Sequence, residues 1–231
     1  EEPRAEKVFG LHVQPYLDVG EIETKKGALN GSSTELRIDV AGVGAHGAYP
    51  EKGIDAILIA AHLVLALNEL VARYVSPLDS AVLTIGSIKG GARPNIIADE
   101  VSMKATLRST DDALRDRLID RARALVEGIP ASFGGRGSLE VKPGYASLVN
   151  CDAEVDLVAQ VSEAILGPGA LRWKDKPSLG VEDFSFFIKD RPGAFYHLGC
   201  GSGPKEGRAA LHSPDFILDE ACLALGVAMQ A

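Results

Sequence analysis

Aromatic residues are scarce: seven Phe, five Tyr and one Trp make up 6% of the 231 residues. The chain also lacks an excess of positive charge, with 32 acidic against 24 basic residues and a formal net charge of −8. Few rings and an acidic field argue against base stacking and phosphate binding, and so against a nucleic-acid partner. Cysteine is rare too. Cys151, Cys200 and Cys222 form an odd set without CxxC spacing. That disfavours a disulfide framework and a cysteine-only zinc site, and points to a reducing, cytoplasmic setting. Long apolar runs are missing: the longest, Ile54 to Leu67, contains His62 and runs into Asn68 and Glu69. It reads as too short and too polar to span a bilayer, so no membrane partner is expected. No charged start with an apolar stretch and a small-residue cleavage site opens the chain, so no signal peptide is expected. The first residue is Glu rather than Met, which marks the chain as processed, trimmed or excerpted.

What is present is ordinary for a folded protein: 46% hydrophobic and 24% charged residues. The length allows one large domain or two small ones. Glu1 to Lys7 is charged and loop-like, and Val8 to Val13 reads as a short strand. Gly20 and Gly27 to Gly31 bracket a linker-like stretch. From Thr34 the grammar changes. Leu36, Ile38 and Val40 alternate with polar residues, as do Ala81, Leu83 and Ile85, then Val101, Met103, Ala105 and Leu107, then Leu139 and Val141. Period two predicts four half-buried strands. Between them, Ile54 to Tyr74 and a segment starting at Thr110-Asp111-Asp112 and ending at Gly128 carry helical spacing. Strand, helix, strand, strand, helix, strand is the ferredoxin-like order, and it occupies residues 31–143. The flanks, 1–30 and 144–231, alternate helices at 153–166, 184–188 and 219–229 with a strand at 194–198. They read as one α/β domain interrupted by the ferredoxin-like insertion.

Five histidines are candidates for chemistry. His62, within a helix, and His197, within a strand, read as structural. His12 and His212 each sit where a strand gives way to a loop, the place where α/β domains put functional side chains. Neutral imidazole is a common metal ligand, though two histidines so far apart are also compatible with plain surface positions. His46 lies in a glycine turn, Gly44-Ala45-His46-Gly47, where it either presents a donor to an oxyanion or is simply exposed. Asn95, in the Gly90 to Ile97 loop, could donate to a ligand or cap the turn. Glu182 and Asp183 could edge a pocket or stabilise a helix start. Arg108, at a strand end, could grip a carboxylate or form a surface ion pair. The glycine-rich loop at Gly199 to Gly203 lacks the GxxxxGK[ST] pattern of a phosphate cradle.

Five segments in order, GLHV from Gly10, GAHGAYPEKGIDAI from Gly44, GSIKGGARPNIIADEVSMKATLRS from Gly86, GVEDFSFF from Gly180 and LHSPDFILDE from Leu211, carry a resemblance over nearly the whole chain. They resemble the co-catalytic metal amidohydrolases that include hippurate hydrolase, aminoacylase and the indole-acetyl-amino-acid hydrolases. The resemblance implies an α/β catalytic domain interrupted by a ferredoxin-like lid that also dimerises, hence a homodimer through residues 31–143. It implies that His12 and His212 each bind one of two divalent ions (zinc, manganese, cobalt or nickel). It places His46 in the active site of the neighbouring subunit, with Asn95 beside it, and Gly180, Val181 and Glu182 at the substrate pocket. The implied reaction is hydrolysis of the amide bond of an N-acyl amino acid.

The family also uses an upstream Cys-Gly-His-Asp segment and a Glu-Glu pair for the remaining ligands and the general base. Neither is matched. Glu1-Glu2 stands too close to the GLHV strand, with Pro3 between, and reads as an acidic loop. The expectation is a C-terminal portion of a longer enzyme, with an incomplete catalytic domain that is inactive alone. The alternatives are a non-catalytic dimerisation or binding module, or a carboxypeptidase of the same family.

Overall fold

The computed structural model describes residues 5–231, so the acidic-loop reading of Glu1-Glu2 and Pro3 lies outside the described residues. In chain order the strands and helices are β1 (Val8–Asp18), β2 (Ile22–Thr24), β3 (Gly27–Asn30), β4 (Ser32–Ala41), β5 (Ala45–His46), α1 (Ala56–Tyr74), β6 (Ala81–Gly90), β7 (Ile96–Ile97), β8 (Glu100–Ser109), α2 (Asp112–Ser132), β9 (Arg136–Pro143), β10 (Leu148–Asn150), α3 (Asp152–Leu166), β11 (Leu171–Trp173), α4 (Ser185–Ile188), β12 (Gly193–Gly201) and α5 (Ala221–Gln230). They divide into two compact units.

One unit comprises residues 31–147 and 179–181. Its sheet runs β6-β8-β4-β9, antiparallel throughout. With β4, α1, β6, β8, α2 and β9 in sequence, this is the ferredoxin-like order. The period-two residues explain it: Leu36, Ile38, Met103 and Leu107 point to one face and are buried under α1 and α2. Ile38 stands opposite both Met103 and Leu139, which fixes the register of β8, β4 and β9. Asp55 starts α1 by accepting from the amides of Ile57 at 2.9 Å and Leu58 at 3.1 Å.

Helix α1 is 19 residues long with mean hydropathy 1.7 in its best window, so it is longer and more apolar than the run to Leu67 suggested. By length and composition it could cross a membrane. A third of that window is buried in the unit, where Ile59, Leu63 and Leu67 pack in the core.

The start of α2 is Asp111 rather than Thr110. Its carboxylate accepts from Ala113 at 2.7 Å and Leu114 at 3.0 Å, and the charge also favours the helix dipole. Nor does α2 stop at Gly128. It continues to Ser132, because Val126 and Pro130 keep burying the same face. Pro130 has no N–H, so the carbonyl of Val126 loses its helical partner. Gly137 of β9 comes so close that a Cβ there would sit 2.0 Å from that oxygen.

The other unit comprises residues 5–30, 148–178 and 182–231. Its sheet runs β1-β12-β2-β11, with β1 parallel to β12, β12 antiparallel to β2, and β2 parallel to β11. Every residue of β12 is buried. Helices α3 and α5 pack over Ile22, Tyr196 and Leu198, with Cys222 of α5 buried among them. The stretch read as a linker holds β2 and β3, because Ile22 and Leu29 are fully buried and recruit their neighbours into sheets.

The boundary falls after Ser147 rather than before Gly144. Ser147 donates to Asp112 Oδ1 from its amide at 3.1 Å and from its hydroxyl at 3.0 Å, tying it to α2. Residues 179–181 belong to the ferredoxin-like unit for a similar reason: the amide of Gly31 donates to the carbonyl of Gly180 at 3.0 Å.

Candidate functional site

In the α/β unit the site grows from the sheet register. His12 stands opposite His197 across the β1/β12 pair. The ring of His12 is oriented locally: its Nδ1 lies 2.8 Å from the carbonyl of its neighbour Val13. A carbonyl only accepts, so Nδ1 carries the proton and Nε2 keeps a free lone pair. That is the tautomer a metal-binding histidine needs, with the ring aimed by an oxygen on its other nitrogen. Gly10 brings a second segment up to the strand. A Cβ on it would sit 2.6 Å from the Phe184 ring, so the GLHV and GVEDF segments are packed together.

Glu182 lies in the same neighbourhood. Burial and the adjacent Asp183 carboxyl push Glu182 above its ordinary value, and the field of His12 opposes them. His212 occupies the loop between β12 and α5. Its φ is 66°, and it is the one positive-φ residue other than glycine among the described residues. Such a conformation is uncommon outside glycine and persists where the surroundings impose it.

His197, read from sequence as a structural residue, is buried within a polar cluster. It is 5% exposed and faces Glu23 across the β12/β2 pair. Its Nδ1 lies 3.2 Å from Glu23 Oε1 and 3.4 Å from the Tyr16 hydroxyl. The same Oε1 accepts from Tyr16 at 2.6 Å and from Lys174 at 2.7 Å. Burial raises Glu23, but the hydrogen bonds from Lys174, Tyr16 and His197 outweigh it and hold the carboxyl below its ordinary value. Burial, partly countered by Glu23, keeps His197 below its ordinary value, so the ring is neutral near pH 7. The local sequence gives no sign of this, since Glu23 is 174 residues from His197. The single available signal was a polar residue inside an otherwise apolar strand.

In the ferredoxin-like unit, β5 and β7 pair and set His46 opposite Ile96, beside Asn95. The carbonyl of Asn95 accepts from the amide of Gly47 at 2.8 Å, and a side chain on Gly47 would press on the Asn95 backbone at 3.3 Å. His46 Nδ1 accepts from the amide of Ala48 at 3.1 Å. The proton is therefore on Nε2, and the exposed ring presents an N–H donor outward. Arg108 is committed otherwise than to a surface ion pair: its Nη1 donates to the carbonyl of Leu179 at 2.9 Å and holds the start of the Leu179–Val181 segment. Gly180 and Val181 are thus fixed to the ferredoxin-like unit, while Glu182 belongs to the α/β unit.

The donor types suit divalent transition metals: the imidazole of His12 with an open Nε2, the Glu182 carboxyl within reach of its field, and a further imidazole at His212. Among the described residues, however, no three His, Cys, Asp or Glu side chains gather as a metal-binding group. The fit is that of separate ligands rather than of a closed cage.

Known proteins resemble the chain in both sequence and fold. Residues 25–132 match the model of the peptidase dimerisation domain of the M20 family. An N-acetyldiaminopimelate deacetylase of Halalkalibacterium halodurans is 36% identical over 194 residues, covering 84% of this chain and 52% of the relative. A Staphylococcus aureus structure whose proposed class is aminohydrolase superposes with TM-score 0.90 at 28% identity, over 97% of this chain and 57% of that one. A Bacillus subtilis structure described as a dinuclear metal binding peptidase from the M20 family superposes with TM-score 0.79 at 26% identity, over 97% of this chain and 55% of that one. The chain spans about half the length of the curated relatives it matches. It belongs to the M20 family of hydrolases, and residues 25–132 carry that family's dimerisation domain.

Proposed function

We propose that this chain is the lid and the distal part of the catalytic domain of a metal-dependent amidohydrolase that cleaves N-acyl amino acids. The observation that carries the reading is the oriented imidazole of His12, with Nδ1 bonded to the Val13 carbonyl and Nε2 open. In this reading His12 and His212 are ligands to two divalent ions, which when bound polarise the amide carbonyl and lower the pKa of a bound water. The half-buried Glu182 hydrogen-bonds the substrate beside His12. His46 donates its Nε2 proton to the oxyanion, and the Asn95 amide adds a second donor. The relatives include an N-acetyldiaminopimelate deacetylase and an N-acetyl-L-cysteine deacetylase, which supports an acylated amino acid as the substrate class. The remaining ligands and the general base are assigned to sequence beyond this chain, in keeping with its span of about half of each relative.

The test is hydrolysis of a panel of N-acyl amino acids with added zinc, manganese, cobalt or nickel. The complete protein should turn over at least one panel member, and the 231-residue chain none. Turnover by the chain alone would overturn the assignment of the base elsewhere. A complete protein inert to the whole panel would favour the non-catalytic binding module, the reading that the absence of a three-ligand group among the described residues supports.

The homodimer is part of the same proposal. On α1, Ile57, Leu58 and Leu65 are exposed, and on the edge strand β6 so are Val82 and Ile88. An apolar helix face beside an unpaired strand edge is the surface a second copy would cover. Leu65, 67% exposed, contributes little to its own fold. Leu65→Glu should therefore leave the circular dichroism spectrum unchanged and convert a dimer to a monomer by light scattering. A variant that remains dimeric would move the interface away from α1.

A further inference from the structure

One buried polar pair, His197 with Glu23, takes no part in the chemistry proposed above. The parallel register sets His197 directly opposite His12, and in a parallel pair facing residues share a side of the sheet. The strands are about 4.8 Å apart, so two such rings can reach a common point. In both rings Nδ1 is the bonded nitrogen. His12 Nδ1 is held at 2.8 Å by the Val13 carbonyl, and His197 Nδ1 at 3.2 Å by Glu23 Oε1. Glu23 is itself anchored by Tyr16 and Lys174, and the Phe195 ring meets His197 edge-on at 6.0 Å between centroids. Each imidazole thus has one nitrogen tied to an oxygen and Nε2 left over. A carboxylate behind a histidine is the arrangement that orients a metal-bound ring and raises its basicity.

We propose that His12 and His197 bind one divalent transition-metal ion between their Nε2 atoms, with Glu23 as the positioning residue for His197. The proposal rests on the reading of His12 as a ligand and adds a partner that reading does not contain. Two imidazoles select zinc, nickel or copper over calcium or magnesium. No third His, Cys, Asp or Glu joins them among the described residues, so the ion keeps open coordination positions, as a catalytic rather than a structural site does. The ion would then lie toward β12, and the imidazole of His197 would set how far His12 can follow an ion placed elsewhere.

The experiment is copper(II) and nickel(II) titration of the full chain by calorimetry, with electron paramagnetic resonance of the copper form. The expected result is one ion per chain and hyperfine splitting from two imidazole nitrogens. In His197→Phe the splitting should fall to one nitrogen, with affinity weakened at least tenfold. Glu23→Gln should keep both nitrogens and lose roughly tenfold to a hundredfold in affinity, the range for partners behind a ligand. His12→Ala should abolish binding. His197→Asn, smaller and polar, guards against a variant that fails to fold, with circular dichroism as the check. If His197→Phe binds as the parent does while His12→Ala does not, the pair is overturned and the His12 reading stands. If His12→Ala binds as the parent does, both fall. If the unaltered chain binds no ion, the pair is overturned, while the two-metal reading of the complete enzyme is still judged by its own activity test.

Discussion

His46→Ala in the complete enzyme is expected to lower kcat by about a hundredfold to a thousandfold while KM changes little, the loss typical of one oxyanion donor. The basis is the tautomer. Because Nδ1 accepts from the Ala48 amide, the proton is fixed on Nε2, and the ring needs no reorganisation to donate. The glycines on either side keep the loop free of side chains that would block approach. His46→Gln, which retains an N–H donor, should recover part of the loss. The resemblance to the amidohydrolases further implies that His46 serves the neighbouring subunit, and mixed dimers decide this. If His46 acts across the interface, combining His46→Ala with His12→Ala subunits restores one working site per dimer. If it acts within its own subunit, the mixture is dead. An unchanged kcat in His46→Ala would remove the oxyanion role altogether.

Gly199→Ala should cost about 3 kcal/mol or more, at the high end of overpacking effects. A Cβ there would lie 1.9 Å from the Asp18 carbonyl oxygen and 3.1 Å from that of Glu21. Both are backbone atoms, in a turn that the Gly199 amide itself pins by donating to Glu21 at 2.8 Å. Nothing can swing aside, so the strand that carries His197 must separate from the turn that leads to Glu23. The thermal midpoint should fall by roughly 6–12 °C for a loss of that size. Gly128→Ala is the counterpart: that glycine sits inside α2 with nothing within 4 Å of where a methyl group would stand, and alanine should raise stability by about 0.5–1 kcal/mol. Equal melting of Gly199→Ala and the parent would mean that β12 does not approach the turn this closely.

The parts of the fold legible in the sequence were those whose signal is local and repeated. Leu36, Ile38 and Val40 alternate, and the strand follows; Ala56 to Tyr74 keep a buried helical face, and the helix follows. Short elements escaped. In β2 just Ile22 and Thr24 are buried, and two residues between glycines look like a linker until β12 and β11 pair with them. Gly128 misled because glycine usually ends a helix, whereas here the apolar positions on both sides of it continued the burial. The candidate site divides in the same way. The His46 turn was visible because its partner Ala48 is two residues away. The His197 cluster was not, because its register opposite Glu23 and His12 is created by strand pairing between the two ends of the chain.

The backbone at position 212 would be served better by another residue. At φ 66° glycine sits without penalty and asparagine with little, so a chain selected for stability alone would drift toward them. A histidine there carries a backbone cost that glycine would not. If His212 is the ligand proposed above, His212→Gly should raise stability and abolish activity in the same step.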